Sequence, residues 1–258
     1  MRLYFKYLRM LVRSQLEYRE SFIMTLLGQF LVSFSAFLGI YFILMRFHTV
    51  RDYTFPEILI CFSSVLASFS LAECFARGFD AFPRLIKSGS LDRLLLRPRG
   101  VAFQVLTSNL ELSRAGRLLQ AIFMLIYAVP RCGVVWTADK IATLAVMIAG
   151  GVLVFTALFI LYAGFSFFTI EGLEFMNLFT DGVREFGQYP LSIYGEGVLK
   201  LFTYVIPVAL FQYYPFLYLV GRSDDKRLAL LPILGAVFIL PCSLFFRLGL
   251  RRYKSTGS

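Results

Sequence analysis

Several apolar runs in this chain of 258 residues are long enough to cross a bilayer, and this constrains the fold more than any other feature. A hydrocarbon layer of ~30 Å takes about 20 apolar residues as helix. Inside it the backbone must satisfy its own hydrogen bonds, which leaves helices or closed barrels. Apolar residues make up 58% of the chain. The runs predict an all-α integral membrane protein, a single transmembrane domain over residues 1–258. Six spans are expected, at 22–45, 57–75, 108–130, 141–168, 197–220 and 228–246. The basic first twenty residues contain no apolar core followed by a small-residue cleavage site, so no cleavable signal peptide is expected.

The formal charge is +10. In a soluble protein this would suggest nucleic acid. Here the charges sit beside the spans, where they set orientation, and no nucleic-acid partner is expected. Residues 1–20 predict an interfacial helix on membrane lipid. Arg2, Lys6, Arg9 and Arg13 share one face, and Tyr4, Leu8 and Leu11 the other. With both termini cytoplasmic, inner segments hold 19 basic residues against 7 outside. That bias predicts a multi-pass protein of the cell (inner) membrane.

The longest strongly basic loop, Gly78–Pro98, joins the second and third spans. Its punctuation predicts two short helices at an angle. Pro83 suits a first helical turn and Gly89 a left-handed stop. Ser90 is expected to cap the second helix, with Asp92 near its positive end and Pro98 stopping it. Leu91, Leu94, Leu95 and Leu96 give a loop in water more apolar surface than it needs. A docking surface is expected there, with packing on membrane or neighbouring helices as the competing reading.

Polar and helix-breaking residues mark other positions. Gln29 is the strongly polar side chain of the first span. Residues 102–129 read as one long helix whose foot carries Glu111, Arg114 and Arg117, with Glu111 and Arg114 paired three residues apart. These charges either line a gate or cavity, or project into the cytoplasm as a helix foot, and the foot is the expected reading. Gly150-Gly151 permits close packing or a bend. Residues 170–196 interleave Glu171, Glu174, Asp181, Glu185 and Glu196 with Phe175, Met176, Phe179 and Phe186, as in a partly buried amphipathic connector. Pro207 and Pro215 interrupt the fifth span.

Catalytic signatures are missing. There is no GxxxxGK[ST] phosphate loop, no HExxH and no GxSxG. Cys61, Cys74, Cys132 and Cys242 lack metal-ligand or CxxC spacing and read as reduced packing residues. His48, the one histidine, stands in a short turn. No catalytic, metal-binding or directly bound cofactor site is expected, so uphill transport needs a partner or an ion gradient.

The pattern Ile86-x-x-Gly89-x-Leu91-Asp92-x-x-Leu95-Leu96-Arg97-Pro98 resembles the loop motif of ABC-2 type permeases. Tyr189-Pro190-x-x-x-Tyr194, Ile206-Pro207, Tyr213-Tyr214-Pro215 and the terminal Tyr253-x-Ser255-x-Gly257-Ser258 are similar to one six-span branch of unknown substrate. The resemblance covers essentially the whole chain; the acidic stretch 170–185 departs from it. It implies the permease subunit of an ATP-driven exporter, paired with a second permease chain as homo- or heterodimer. Separate ABC ATPase subunits would bind ATP and Mg2+. The 83–98 loop would be the coupling helix. Pro83, Arg84, Ile86, Lys87, Gly89, Leu91, Asp92, Arg93, Leu94, Leu95 and Arg97 would form the docking site. Leu91, Leu94 and Leu95 would enter the ATPase groove, with Arg84, Arg93 and Arg97 at its rim. Gln29, Glu111, Arg114, Pro207 and Pro215 are the pathway or gate candidates. By family analogy Tyr18, Phe22, Gln29 and the fifth span would line the central seam.

Two other classes stay open. An ion-coupled secondary transporter would usually carry carboxylates in mid-span and inverted repeats, and neither is evident. A membrane-bound enzyme or scaffold is disfavoured by the missing catalytic groups.

Overall fold

The computed structural model describes residues 2–47, 49, 51–169 and 178–254. His48, Glu171, Glu174, Phe175, Met176 and the terminal Ser255, Gly257 and Ser258 lie outside them. Every regular element among the described residues is helical. The first eight helices are α1 (Arg2–Glu17), α2 (Arg19–Phe47), α3 (Phe55–Asp80), α4 (Phe82–Lys87), α5 (Ser90–Leu95), α6 (Val101–Leu106), α7 (Ala115–Ala128) and α8 (Ala138–Phe165). Six short or terminal ones follow: α9 (Val183–Phe186), α10 (Glu196–Tyr204), α11 (Val208–Phe211), α12 (Tyr213–Leu219), α13 (Leu231–Ala236) and α14 (Ile239–Arg252). Five helical runs are long and apolar enough to cross a membrane: Arg19–Arg46, Phe55–Lys87, Leu112–Arg131, Ala138–Phe165 and Lys226–Arg252.

Of these, α3 is the most enclosed. Its start is fixed by the Thr54 backbone N–H, which donates to Glu57 Oε2 at 2.7 Å. Along its length small residues let neighbours approach. Ser63, Ser64 and Ser68 return their hydroxyls to carbonyls one turn back. Ser68 also reaches the Ile148 carbonyl of α8 at 3.1 Å. At Gly151 an added Cβ would lie 2.4 Å from Ser68 Oγ, so the glycine pair serves close packing and α8 runs unbroken. Edge-on phenylalanines fill the remainder, with Phe69 against Phe155 and Phe155 against Phe211.

The bundle has two distinct ends. One carries the short turns around 51–57, 129–138 and 221–227, and is the turn end. The other carries α1 and the basic loop, and is the loop end.

The stretch 102–129 is not one helix. It breaks into α6, a 3-10 turn at Leu112–Arg114, and α7. The cause is local competition for the backbone. Thr107 and Ser108 turn their hydroxyls onto the Phe103 and Val105 carbonyls, at 2.9 and 2.7 Å. Gln15 of α1 then takes the Leu110 carbonyl and the Leu112 N–H. Side chains thus occupy groups a continuous helix would use.

The fifth span is also displaced from its expected place. Residues 197–220 do not run straight through. The pair Glu196–Tyr204 and Val208–Leu219 bends by 89° at Pro207. Both outer ends of this pair lie at the turn end. Arg51 Nη1 donates to the Ser192 carbonyl at 2.8 Å, and Arg222 Nη2 to the Asp52 carbonyl at 2.6 Å. The bend reaches inward, where the Pro207 carbonyl lies 3.4 Å from where a Cβ on Gly235 would sit. The segment is therefore a re-entrant hairpin. Phe167, by contrast, packs on Phe82 at the loop end. The chain changes ends between Phe167 and Ser192, within the stretch expected to be a connector.

This gives a labelling test in membranes, in a background lacking the native cysteines. Glu196→Cys and Ser223→Cys should react with an impermeant thiol reagent from the same face, and Ser88→Cys from the opposite one. A straight fifth span would put Glu196→Cys and Ser223→Cys on opposite faces.

Candidate functional site

At the loop end of α3 the side chain of Glu73 is only 3% exposed. Its Oε2 lies 2.8 Å from Arg117 Nη1 of α7. Its Oε1 lies 3.1 Å from Arg77 Nη1, one turn along α3, and 3.6 Å from Arg114 Nη1. Arg114 also binds Glu111 Oε2 through Nε at 2.8 Å and donates from Nη1 to Gln29 Oε1 of α2 at 3.1 Å. Arg77 reaches Asp80 at 3.2 Å and Glu111 at 3.8 Å. Three guanidinium groups thus face three carboxylates, Glu73, Asp80 and Glu111, and the cluster is neutral as a unit. Neutrality and shared hydrogen bonds are what make burial of so many charges tolerable.

Backbone geometry permits the contact. A Cβ at Gly116 would lie 2.3 Å from the Leu26 carbonyl, so only glycine lets α7 lie this close to α2. Gly116 stands between Arg114 and Arg117, and its fit against α2 fixes where both arginines reach. The helix-foot expectation is corrected here. Arg117 is buried, and Arg114 and Glu111 point into the α2–α3–α7 junction, not out into solvent. Among the expected pathway residues, Gln29, Glu111 and Arg114 come together. Pro207 and Pro215 do not join them: they belong to the hairpin, Pro207 at its bend and Pro215 buried in α12.

A cavity of about 70 Å3 adjoins the cluster between α2, α3 and α9. Ser33, Arg117, Arg184, Glu185 and Gln188 give it polar walls. Arg184 stacks over the Phe69 ring at 5.0 Å and pairs with Asp181 at 3.4 Å and with Glu185. The space is enough for several waters. Sequence reasoning left Glu73, Arg77 and Arg184 out of the site. A usable signal was present: Glu73 and Arg77 stand four residues apart, on one face of α3.

Below the cluster, Ala81 alone separates α3 from α4. Pro83 falls in the first turn of α4, and Gly89, at φ +63°, links α4 to α5. Gly89, not Ser90, is the cap of α5; Ser90 Oγ instead contacts Ser88 Oγ at 2.8 Å and Arg93 at 3.0 Å. Asp92 lies in the first turn of α5. The leucines divide between two faces. Leu91 is 0% exposed, in the core with Ile86 and Phe82, and Leu94 is half-buried. Leu95 and Leu96 are 44% and 87% exposed. The expectation that Leu91 is free to enter a partner's groove is therefore corrected: it already anchors α5 to its own chain. Gln104 Nε2 holds the returning chain of the loop, donating to the Leu94 and Arg99 carbonyls at 2.9 and 2.8 Å. Arg84, Lys87, Arg93, Arg97 and Arg99 of the same loop are exposed as well.

Removing one partner of a buried ion pair costs about 3–5 kcal/mol. Glu73→Ala should lower stability by that order, read as an earlier thermal transition in detergent. Glu73→Gln combined with Arg117→Met removes one charge of each sign and should recover part of the loss. An unchanged transition in Glu73→Ala would show that the cluster does not hold the helices.

No curated protein and no solved structure matches the chain at a significant level. Residues 30–257 match the family described as ABC-2 family transporter protein. That match runs from within α2 through α14, with the ion cluster, the two-helix loop and the hairpin, and the chain belongs to the ABC-2 transporter family.

Proposed function

We propose that this chain is the permease subunit of an ATP-driven exporter, forming half of a translocation pathway with a second permease chain. A separate ABC ATPase docks on α4 and α5 and supplies ATP and Mg2+ chemistry. One observation carries the reading. The loop has two faces: Pro83, Ile86 and Leu91 are buried in its own bundle, while Leu95 and Leu96 are exposed, as are Arg84, Lys87, Arg93, Arg97 and Arg99 of the same loop. Exposed apolar residues rimmed by charge are the usual form of a protein-docking surface.

The loop is also mechanically connected. It continues from α3 through one residue, and α3 carries Glu73, which is tied to α7 by ion pairs. A push on the loop reaches α2 and α7 through the cluster, next to the polar cavity. Membership of the ABC-2 family supports an ATPase partner, since hydrolysis in such systems belongs to a separate chain. Orientation follows from charge. With Arg184 in the crossing and Lys200 at the turn end, 17 basic residues remain at the loop end against 8 at the turn end. The loop end, with both termini, faces the cytoplasm by the positive-inside rule.

Burying a leucine side chain contributes roughly 1.5–3 kcal/mol, so losing two should weaken docking at least tenfold. Leu95→Asp with Leu96→Asp should leave membrane insertion and thermal stability intact and abolish co-purification of the partner ABC ATPase when the two are co-expressed. Arg93→Ala should change the yield little, because exposed rim charges contribute about 0–1 kcal/mol. ATPase recovery at wild-type yield with the double aspartate variant would refute docking at this surface.

A further inference from the structure

A second concave feature lies away from the ion cluster. Between α2 and α7, with the start of α3 behind, is a groove of about 360 Å3, within the size range of ligand pockets. Phe30, Phe34, Phe37 and Tyr41 recur every three or four residues of α2 and make one aromatic wall. Their rings form a continuous series: Phe30 to Phe34 at 6.0 Å, Phe34 to Phe37 at 5.4 Å, Phe37 to Tyr41 at 6.2 Å. The groove opens sideways, where a membrane would lie, since α2 and α7 are both spans with exposed apolar faces.

One residue in this wall does not fit a merely greasy surface. Gln120 of α7 is 2% exposed and lines the groove. Neither its Nε2 nor its Oε1 has a hydrogen-bond partner among the described residues. A buried amide left unpaired is costly, and native structures rarely keep one without a use. Near the turn end of the same groove is Tyr127, and Arg131 stacks on its ring at 4.1 Å. Arg131 is exposed, donates to the Tyr127 carbonyl at 3.1 Å and makes no ion pair among the described residues. The Arg131 guanidinium, folded back onto Tyr127, stands roughly 11 Å along the groove from Gln120 by helical rise.

We propose that this groove binds an anionic single-chain amphiphile that carries a hydrogen-bonding group part-way along its chain. The apolar chain lies along the α2 aromatic wall. The anionic head meets Arg131, and the in-chain hydroxyl, keto or amide group meets Gln120. An ordinary saturated chain would leave the amide unpaired, so the polar group in the chain is what the site selects. The site is separate from the loop and does not depend on which partner powers transport.

The test uses the purified full chain in nanodiscs and two probes, octadecanoate and 10-hydroxyoctadecanoate. The hydroxyl of the second stands about as far along the extended chain as Gln120 does from Arg131. The wild-type chain should bind the hydroxylated probe roughly fivefold to tenfold more tightly, the value of one hydrogen bond. Gln120→Leu should erase that preference while binding octadecanoate as before, and should melt no lower than wild type without ligand. Arg131→Ala should weaken both probes equally. Equal affinity for the two probes, or a preference that survives Gln120→Leu, would overturn the assignment. So would failure to bind either probe, as when a helix of a second copy fills the groove.

Discussion

Glu73 is one carboxylate shared among three arginines, and the arrangement of α2, α3 and α7 depends on keeping that group neutral. Arg117 buried, with Arg77 and Arg114 half-buried beside it, would be costly without Glu73, Asp80 and Glu111. The constraint therefore acts on the backbone. Arg114 and Arg117 must meet α3 at one depth, so α7 must start where it does. The chain before it must break at 107–112 to deliver it, and Gly116 must lie against the Leu26 carbonyl. On its other side α2 is largely exposed, so this junction is one of its few fixed points.

The same junction sits directly over the two-helix loop. In that loop, residues that look equivalent in sequence do opposite jobs. Leu91 and Ile86 fix the helices to the bundle, whereas Leu95 and Leu96 offer surface. The proposed docking of an ATPase would need both. Without the anchor, force from a partner would merely deform the loop; without the surface, there would be nothing to hold. At the other end Pro207 turns the chain back instead of letting it cross, and the ends of the hairpin are secured by Arg51 and Arg222.

Much of this was legible in the sequence because its causes are local. Length and hydropathy located α2, α3, α8 and the last span, and Pro83 and Gly89 marked the two short helices. What escaped was set by long-range pairing. Arg117 and Glu73 are 44 positions apart, and nothing near either residue reveals that they meet. The fifth crossing was misplaced because residues 197–220 are apolar enough to span, while 170–190 carry charges that look like a loop. In the structure Arg184 is accommodated there by pairing with Asp181 and Glu185 and lying on Phe69. The leucines of α5 were treated as one face because four of them fall within six residues, and a helix that short has too little periodicity to separate inside from outside.

The central claim is that the ion cluster carries movement of the loop into the spans. It is tested most directly by distance measurements between spin labels at Lys87 and Glu196, in the complex with the ATPase, with and without a non-hydrolysable ATP analogue. The comparison is between the wild-type chain and Glu73→Gln combined with Arg117→Met, which keeps the cluster neutral but cuts the α3–α7 link. The expected result is a nucleotide-dependent change in the distance distribution in the wild-type complex, and its loss in the variant even though the ATPase remains bound. The same nucleotide-dependent change in both complexes would contradict the claim.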